Sequence, residues 1–489
     1  MVELLLITGR LAEPEVRKAA VELRSDVAVM PVDVAQFITV NMAADAIKSS
    51  TGDSNYSKII FPGLVQFDTG DVEKLVKMPC FKGPRYASDL TEVIRANIRL
   101  SQTEPADFLL ERHGKARLME ALAKAENKKP EFLIGSLKIG QGFPPRIIAE
   151  IVDAPLLTKE QALERAQYYL SSGADIIDVG AIAGEDNSAK LAKLVAFLKQ
   201  KLRVPVSIDS LNPKEINAGI GAGADLVLSL CSENMGSVET RQDVAYIAIP
   251  DSEPLGENLK SAEKLGFKNL IADPILSPPF KTTESLLHYK GLRTVDQKRP
   301  MMMGVGNVVE LIDADSTGVN GLLAAMAVEL DVSLLLTTEN SSKTRGSVKE
   351  LKRALDMCFL ARSLGTQPKD LSFDLLMAKG KGPGENVDVS GVKAVVAEPS
   401  PAFTMDPKGP FTIFLDFKRG RIIAAHSGNS GYDMVIEGDD AEFVSKKIIK
   451  DGLVSSLEHA AYLGRELEKA ELFLKLRKGY VQDDEFEGI

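Results

Sequence analysis

Tryptophan is absent from the 489 residues, and cysteine occurs only three times, at 80, 231 and 358. Three scattered thiols exclude a disulfide framework and a clustered cysteine metal site. An excess of positive charge is also missing. Lys and Arg number 59 against 69 acidic residues, for a formal charge of −10, so a phosphate backbone is a poor partner and no nucleic acid is expected. No apolar run reaches the ~18 residues of a membrane span, so no membrane partner is expected. The start, MVELLLITGR, has no basic n-region or cleavage site and reads as a first strand, so a cytoplasmic location is expected. What is present is ordinary globular material, 44% hydrophobic and 26% charged, at a length that suggests roughly three domains.

Residues 1–130 alternate apolar runs (ELLLITG at 3–9, DVAVMPVD at 26–33, KIIFPGLV at 58–65) with helical patterns such as PEVRKAAVEL at 14–23. Strands separated by helices predict a layered, parallel α/β domain. Gly9-Arg10-Leu11-Ala12-Glu13-Pro14 lacks the second and third glycines that bring a backbone to a pyrophosphate. A structural or partner-docking domain is the expectation there. The Lys-, Gly- and Pro-rich stretch 127–145 reads as a junction.

From Arg146 onward, strand-like runs begin near Ile147, Asp175, Val204, Asp225, Ala245, Asn269, Met301 and Val332, at a mean spacing of about 26 residues. That interval suits one strand, one helix and their loops. SSGAD (171–175) and GAGAD (221–225) put a glycine where a helix stops. Thr158…Gln161, Asn212-Pro213…Glu215 and Ser347…Glu350 resemble capping boxes where helices start. The pattern predicts an α/β fold with a central (β/α)8 TIM barrel over 146–365; eight even units argue against an open doubly wound sheet. The remainder, 366–489, reads as a small C-terminal α+β domain. It has a Gly/Pro-rich stretch (380–388), a hairpin (FTIFLDF, 411–417, with IIAAHS, 422–427) and a long amphipathic helix over 456–480.

Active sites of such barrels lie at the C-terminal strand ends. Those ends carry Asp178; Asp209 and Ser210; Ser229, Cys231, Glu233 and Asn234; Asp251; Asp273; Asn307; and Glu339, Asn340, Lys343 and Arg345. Asp251 and Glu233 read best as loop formers or caps. Asp209 and Asp273 directly follow apolar strands, where an unpartnered charge is costly. A ligand with adjacent N–H donors would supply charge-assisted bonds to them; a magnesium ion is the physical alternative, although no residue is singled out as a metal ligand. Lys343 and Arg345 precede a helix whose expected N-cap is Ser347, an arrangement suited to an anion. A solvated basic loop is the bland alternative.

On GADIIDVG, PVSIDS and Asp273-Pro274 the sequence resembles the pterin-binding barrel family, which holds dihydropteroate synthases and methyltetrahydrofolate:corrinoid methyltransferases. The whole chain looks like archaeal dihydropteroate synthase-related proteins with an extra N-terminal domain. The resemblance implies that Asp209 and Asp273 grip the amino-pyrimidine edge of a pterin, with Asp178 and the strand-4 end, Ser229, completing the pocket. The synthase first-loop motif is missing, leaving Asp153 as a remnant. Asn307 stands where the synthases carry lysine, and DPILSP with that asparagine looks more like the methyltransferases, in which it would assist activation at N5. Lys343 and Arg345 suit a diphosphate leaving group. Residues 438–472 resemble a segment of a methyl-tetrahydromethanopterin:coenzyme M methyltransferase subunit.

The resemblance therefore implies a substrate that is a dihydropterin or a tetrahydromethanopterin-type pterin, with Mg2+ as an accompanying ion. The leading expectation is a transferase joining a pterin methyl diphosphate to an arylamine, in folate or methanopterin metabolism, with Asp209 and Asn307 in catalytic roles. The alternatives are a methyltransferase using a corrinoid or other acceptor protein, and a pterin binder without turnover. The family also implies a homodimer.

Overall fold

A computed structural model describes residues 4–51, 56–379, 390–397, 404–428 and 431–484. The chain divides into two compact units, Met1–Val387 and Asp388–Ile489.

The first unit opens with four parallel strands, β1 (Leu4–Thr8), β2 (Asp26–Val29), β3 (Lys58–Phe61) and β4 (Cys80–Lys82), in the order β2-β1-β3-β4. Three of these strands were expected. The short β4 was not, because CFK offers too few residues to show a period. Leu5, Ile7, Ile59 and Phe61 point to one apolar layer and Leu6 and Ile60 to the other, the alternation of a strand covered on both faces.

The expected junction is itself structured. β5 (Phe132–Ile134) and β6 (Leu137–Ile139) form an antiparallel hairpin. At its turn Gly135 adopts φ +58, and a Cβ there would come within 3.1 Å of Pro205, which leads into the barrel's third strand. Ile134 and Ile139 pack among the barrel's interior side chains. The hairpin thus fills the N-terminal end of the barrel.

The barrel strands are β7 (Arg146–Ile151), β8 (Ile176–Gly180), β9 (Val206–Asp209), β10 (Leu226–Leu230), β11 (Ala245–Ala248), β12 (Asn269–Ala272), β13 (Met302–Gly304) and β14 (Leu334–Thr338). They pair in parallel in the order β12-β11-β10-β9-β8-β7-β14-β13, and a parallel bridge between Ala272 and Met301 closes the ring. All eight expected strands are present. One crossover departs from the expectation: between β10 and β11 the described chain has only the 3-10 turn Met235–Ser237. Ile148, Ile176, Leu226, Leu228, Ile247, Ile271 and Leu334 face inward, while alternate residues such as Ile147, Ile177, Ile208 and Leu335 face the helices.

In the second unit β15 (Phe411–Asp416) and β16 (Arg421–Gly428) form the expected hairpin, joined by an unexpected third strand, β17 (Gly431–Gly438). Helices Ala441–Lys450 and Leu457–Leu476 pack their apolar faces on this sheet through Val444, Ile448, Leu463 and Leu467. The Gly/Pro-rich 380–388 lies outside the described residues.

Candidate active site at the barrel mouth

The two-residue period that buries Ile148, Ile176 and Ile271 inside the barrel carries Glu150, Asp178, Asp209 and Asp273 onto the same interior face, one step nearer the mouth. Register makes this a row. Thr338 pairs with Glu150, Glu150 with Asp178 and Asp178 with Ser207. One step higher, Gly180 pairs with Asp209. Carboxylate oxygens of Glu150, Asp178 and Asp209 lie within 4.8 Å of one another. Gly180 permits this approach, because a Cβ there would fall 2.6 Å from Glu150 Oε1.

Asp178 is fully buried. Its Oδ1 accepts a hydrogen bond from the Ser207 hydroxyl, while its Oδ2 is buried without a partner. Burial, and then the charge of Asp209, raise its carboxyl well above the usual carboxylate range. Glu150 and Asp209 keep part of their surface open to the mouth. Burial pushes Glu150 up to about 8, with Asp178, Glu310 and Asp153 adding repulsion. Asp209 is likewise pushed up to about 8, by burial first and then by Glu150 and Asp273. Carboxyls this close cannot all be ionised, so the cluster holds protons near neutrality.

Asp273 is better provided. Its Oδ1 accepts from Tyr289 Oη at 2.7 Å and from the Ile275 N–H at 2.8 Å. Burial lifts it only to about 6, these two donors working against the shift. The loop behind it is strained: Ile275 has φ +66 and Phe280 φ +75, unusual for bulky side chains. Phe280 is wholly exposed.

The remaining expected residues take varied places. Ser229 is half-buried at an irregularity of β10, where the register shifts between Leu228 and Leu230; its carbonyl accepts from Asn234 Nδ2 at 2.9 Å. Asn307 is exposed and donates through Nδ2 to the Leu276 carbonyl at 2.9 Å, tying the loops after β12 and β13 together. Asp251 accepts from Ser232, Asn258 and the Glu253 N–H, the loop-forming part expected of it.

The expected anion loop is built differently. The N-cap of helix Ser347–Leu364 is Gly346 at φ +90, not Ser347. Ser347 is buried and accepts from Asn320 Nδ2 at 2.8 Å. Glu339, from the end of β14, accepts from the Gly346 N–H at 2.7 Å and the Val348 N–H at 3.0 Å. The protein's own carboxylate therefore already occupies that helix terminus. Lys343 pairs with Asp313 at 2.8 Å, and its charge also bears on Glu310. Arg345 lies half-buried in the same turn.

Two members of the site were missed from the sequence: Glu150 and Tyr289. Glu150 carried a signal, a lone charge two residues after Ile148 in an otherwise apolar strand. Tyr289 lies inside a helix, and nothing in its surroundings marks it.

Residues 153–249 match the family model described as pterin binding enzyme, a stretch that includes Asp178, Asp209 and Ser229. Residues 405–483 match a second model, PterinBD-DUF4346. A protein of Methanocaldococcus jannaschii, itself uncharacterized, is 34% identical over 519 residues, covering 99% of this chain and 98% of that protein. The chain belongs to the same family as that Methanocaldococcus protein. It carries a dihydropteroate synthase-like pterin-binding domain. A dihydropteroate synthase of Clostridium beijerinckii is 27% identical over 123 residues, 23% of this chain and 43% of that enzyme. Solved dihydropteroate synthases from Yersinia pestis and Coxiella burnetii each align with 45% of the chain and with 95% and 94% of their own length. They do so at 16% and 19% identity, with TM-scores of 0.38 and 0.37. Among the described residues no helix is long and apolar enough to cross a membrane.

Proposed function

We propose that the barrel mouth binds a reduced pterin and that the protein is a pterin-dependent transferase. The observation that carries this reading is the row of interior carboxyls, of which Asp209 and Asp273 stand where adjacent N–H donors of an amino-pyrimidine edge would meet carboxylate acceptors. Asp178, with Ser207 beside it, closes the floor, and Ser229 stands at a strand end further round.

Between the two transfers that pterins of this kind undergo, the geometry favours departure of a one-carbon group from N5. Such a step needs a proton delivered to the leaving nitrogen as the carbon–nitrogen bond breaks and the carbon passes to a nucleophile. Glu150 holds a proton near neutral pH, which suits a general acid. Asn307, on the loop joined to that of Asp273, would orient the ring. The acceptor would be a corrinoid-bearing protein or another soft nucleophile, and a tetrahydromethanopterin-type pterin fits as donor. We place the protein in the cytoplasm as a homodimer.

Joining a pterin methyl diphosphate to an arylamine is the second reading, in folate or methanopterin synthesis. Lys343, at the rim beside Glu310, favours it. Glu339 on the helix terminus and the negative row oppose it, because both repel diphosphate. The oxygen donors of Glu150, Asp178 and Asp209 also fit a magnesium ion. Bound there, the ion would supply positive charge in place of the shared protons.

The test is a fluorescence titration with 5-methyl-tetrahydropterin and with dihydropterin, each with and without diphosphate and magnesium. Saturable binding of the methylated pterin, indifferent to diphosphate, is the expected result. Affinity for dihydropterin that rises with diphosphate and magnesium would transfer the assignment to the synthase reading, and no binding of either pterin would overturn both.

A further inference from the structure

A large cavity lies away from the barrel mouth. It has a volume of about 1060 Å3 and opens at the C-terminal ends of β1 and β3, between Thr8-Gly9 and Pro62. In the order β2-β1-β3-β4 these two strands are neighbours whose following connections leave in opposite directions. Such a switch point opens a crevice, and open parallel sheets bind their ligands there. The volume lies just above the ~300–1,000 Å3 usual for small-molecule sites.

The wall has a definite chemistry. Arg85 lies over the Phe108 ring with its guanidinium carbon 4.3 Å from the centroid and 5.9 Å from that of Tyr86. Both its backbone N–H and its Nε donate to Asp107, at 3.1 and 2.7 Å, so the guanidinium charge is neutralised and the stack is fixed. Tyr86 and Phe108 remain 64% and 41% exposed, leaving flat aromatic surface in the cavity. Carboxylates outnumber cations on the lining. The helix Glu13–Leu23, whose N-terminus reaches the cavity, begins with Glu13 and Glu15 and has Pro14 in place of a backbone donor. That terminus is set against phosphate.

We propose that this crevice is a second ligand site, separate from the barrel mouth, which takes a planar aromatic amine or heteroaromatic cation. The ring lies on Tyr86 and Phe108, and the N–H or cationic end meets the carboxylates, with Asp33, whose pairing with Arg10 is long at 3.6 Å and largely exposed, the leading acceptor. A dinucleotide is disfavoured by the same lining, which matches the missing glycines after β1.

The probe is proflavine, a planar diamino-acridine cation, titrated into the full-length protein and followed by its visible fluorescence. One saturable site is expected, with affinity falling at least tenfold in Tyr86→Ala/Phe108→Ala and several-fold in Asp33→Asn, while Asp209→Asn at the barrel mouth leaves it unchanged. The double variant also loses the rings beside Arg85, so affinities are compared below its own melting temperature. Independently of any variant, bound proflavine should slow hydrogen exchange at 9–12 and 84–90. Affinity unchanged in the double variant, loss in Asp209→Asn, or protection confined to the barrel strands would overturn the proposal. Tighter binding of the anion 8-anilinonaphthalene-1-sulfonate, lost on the same substitutions, would overturn the assigned charge. A failure here leaves the pterin reading intact, since the two sites share no residue.

Discussion

Replacing Glu150 by Gln should stabilise the protein in alkaline solution and do little in acid. In the folded chain the Glu150 carboxyl is raised to about 8 from an ordinary value of 4.5. The native state therefore binds more protons than the unfolded state between those two values. Stability associated with the group is complete below pH 4.5 and is lost as pH rises through about 8. At ~1.4 kcal/mol per pH unit, ~5 kcal/mol is the upper bound on this effect. Glu150 is partly open to the mouth and shares its protons with Asp178 and Asp209, so solvent screening and coupling reduce the expected gain to ~1–2 kcal/mol. The glutamine keeps the shape and offers an N–H to the unpartnered Asp178 Oδ2. Urea unfolding of both proteins at pH 5 and pH 9 measures the effect. The midpoint should rise for the variant at pH 9 and stay within error at pH 5. Equal changes at the two pH values, or destabilisation at pH 9, would refute the shared-proton cluster.

Other substitutions probe neighbouring parts of the argument. Asp273→Asn, which replaces one carboxylate acceptor, should weaken pterin binding by ~1.5–3 kcal/mol, more than tenfold, in a ligand-fluorescence titration; unchanged affinity would remove Asp273 from the pocket. Gly180→Ala places a Cβ 2.6 Å from Glu150 Oε1 and should cost ~1–3 kcal/mol of stability by urea denaturation. An unaltered midpoint would mean the row is looser than its geometry indicates. Glu339→Ala strips the two N–H partners at helix Ser347–Leu364 and should cost ~1–2 kcal/mol. Lys343→Ala breaks an exposed pair with Asp313 and should cost under ~1 kcal/mol, with pterin affinity in the absence of diphosphate as the parallel readout; a large loss in either would give the lysine a structural role.

The barrel was legible because strand and helix have different periods and each unit repeats both. Asp209 and Asp273 stood out for a related reason: an apolar strand that ends in a carboxylate has few bland explanations. Glu150 obeys the same alternation but lies inside its strand, flanked by Ala149 and Ile151, and single-sequence reading gave more weight to Asp153, which is exposed at the following turn. The crossover after β10 has a 3-10 turn in place of a helix, in keeping with CSENMGSVETRQDV, which has no helical apolar stripe. β17 escaped because it is a largely exposed edge strand, with Ile436 its only buried residue. The anion loop shows a limit of local motifs. Ser347…Glu350 has capping-box chemistry, but the helix is capped from Glu339, eight residues before Ser347, whose position depends on where β14 ends.

The hairpin of β5 and β6 has a kinetic consequence. With Ile134 and Ile139 packed on the interior side chains, the N-terminal end of the barrel is closed and ligands are left the mouth at the C-terminal strand ends, where the reactant held deepest arrives first and departs last. A pterin gripped at Asp209 and Asp273 would be covered by the reactant that follows it. Turnover would then follow an ordered sequence, and an excess of the second reactant should slow the reaction by blocking the entrance before the pterin has entered.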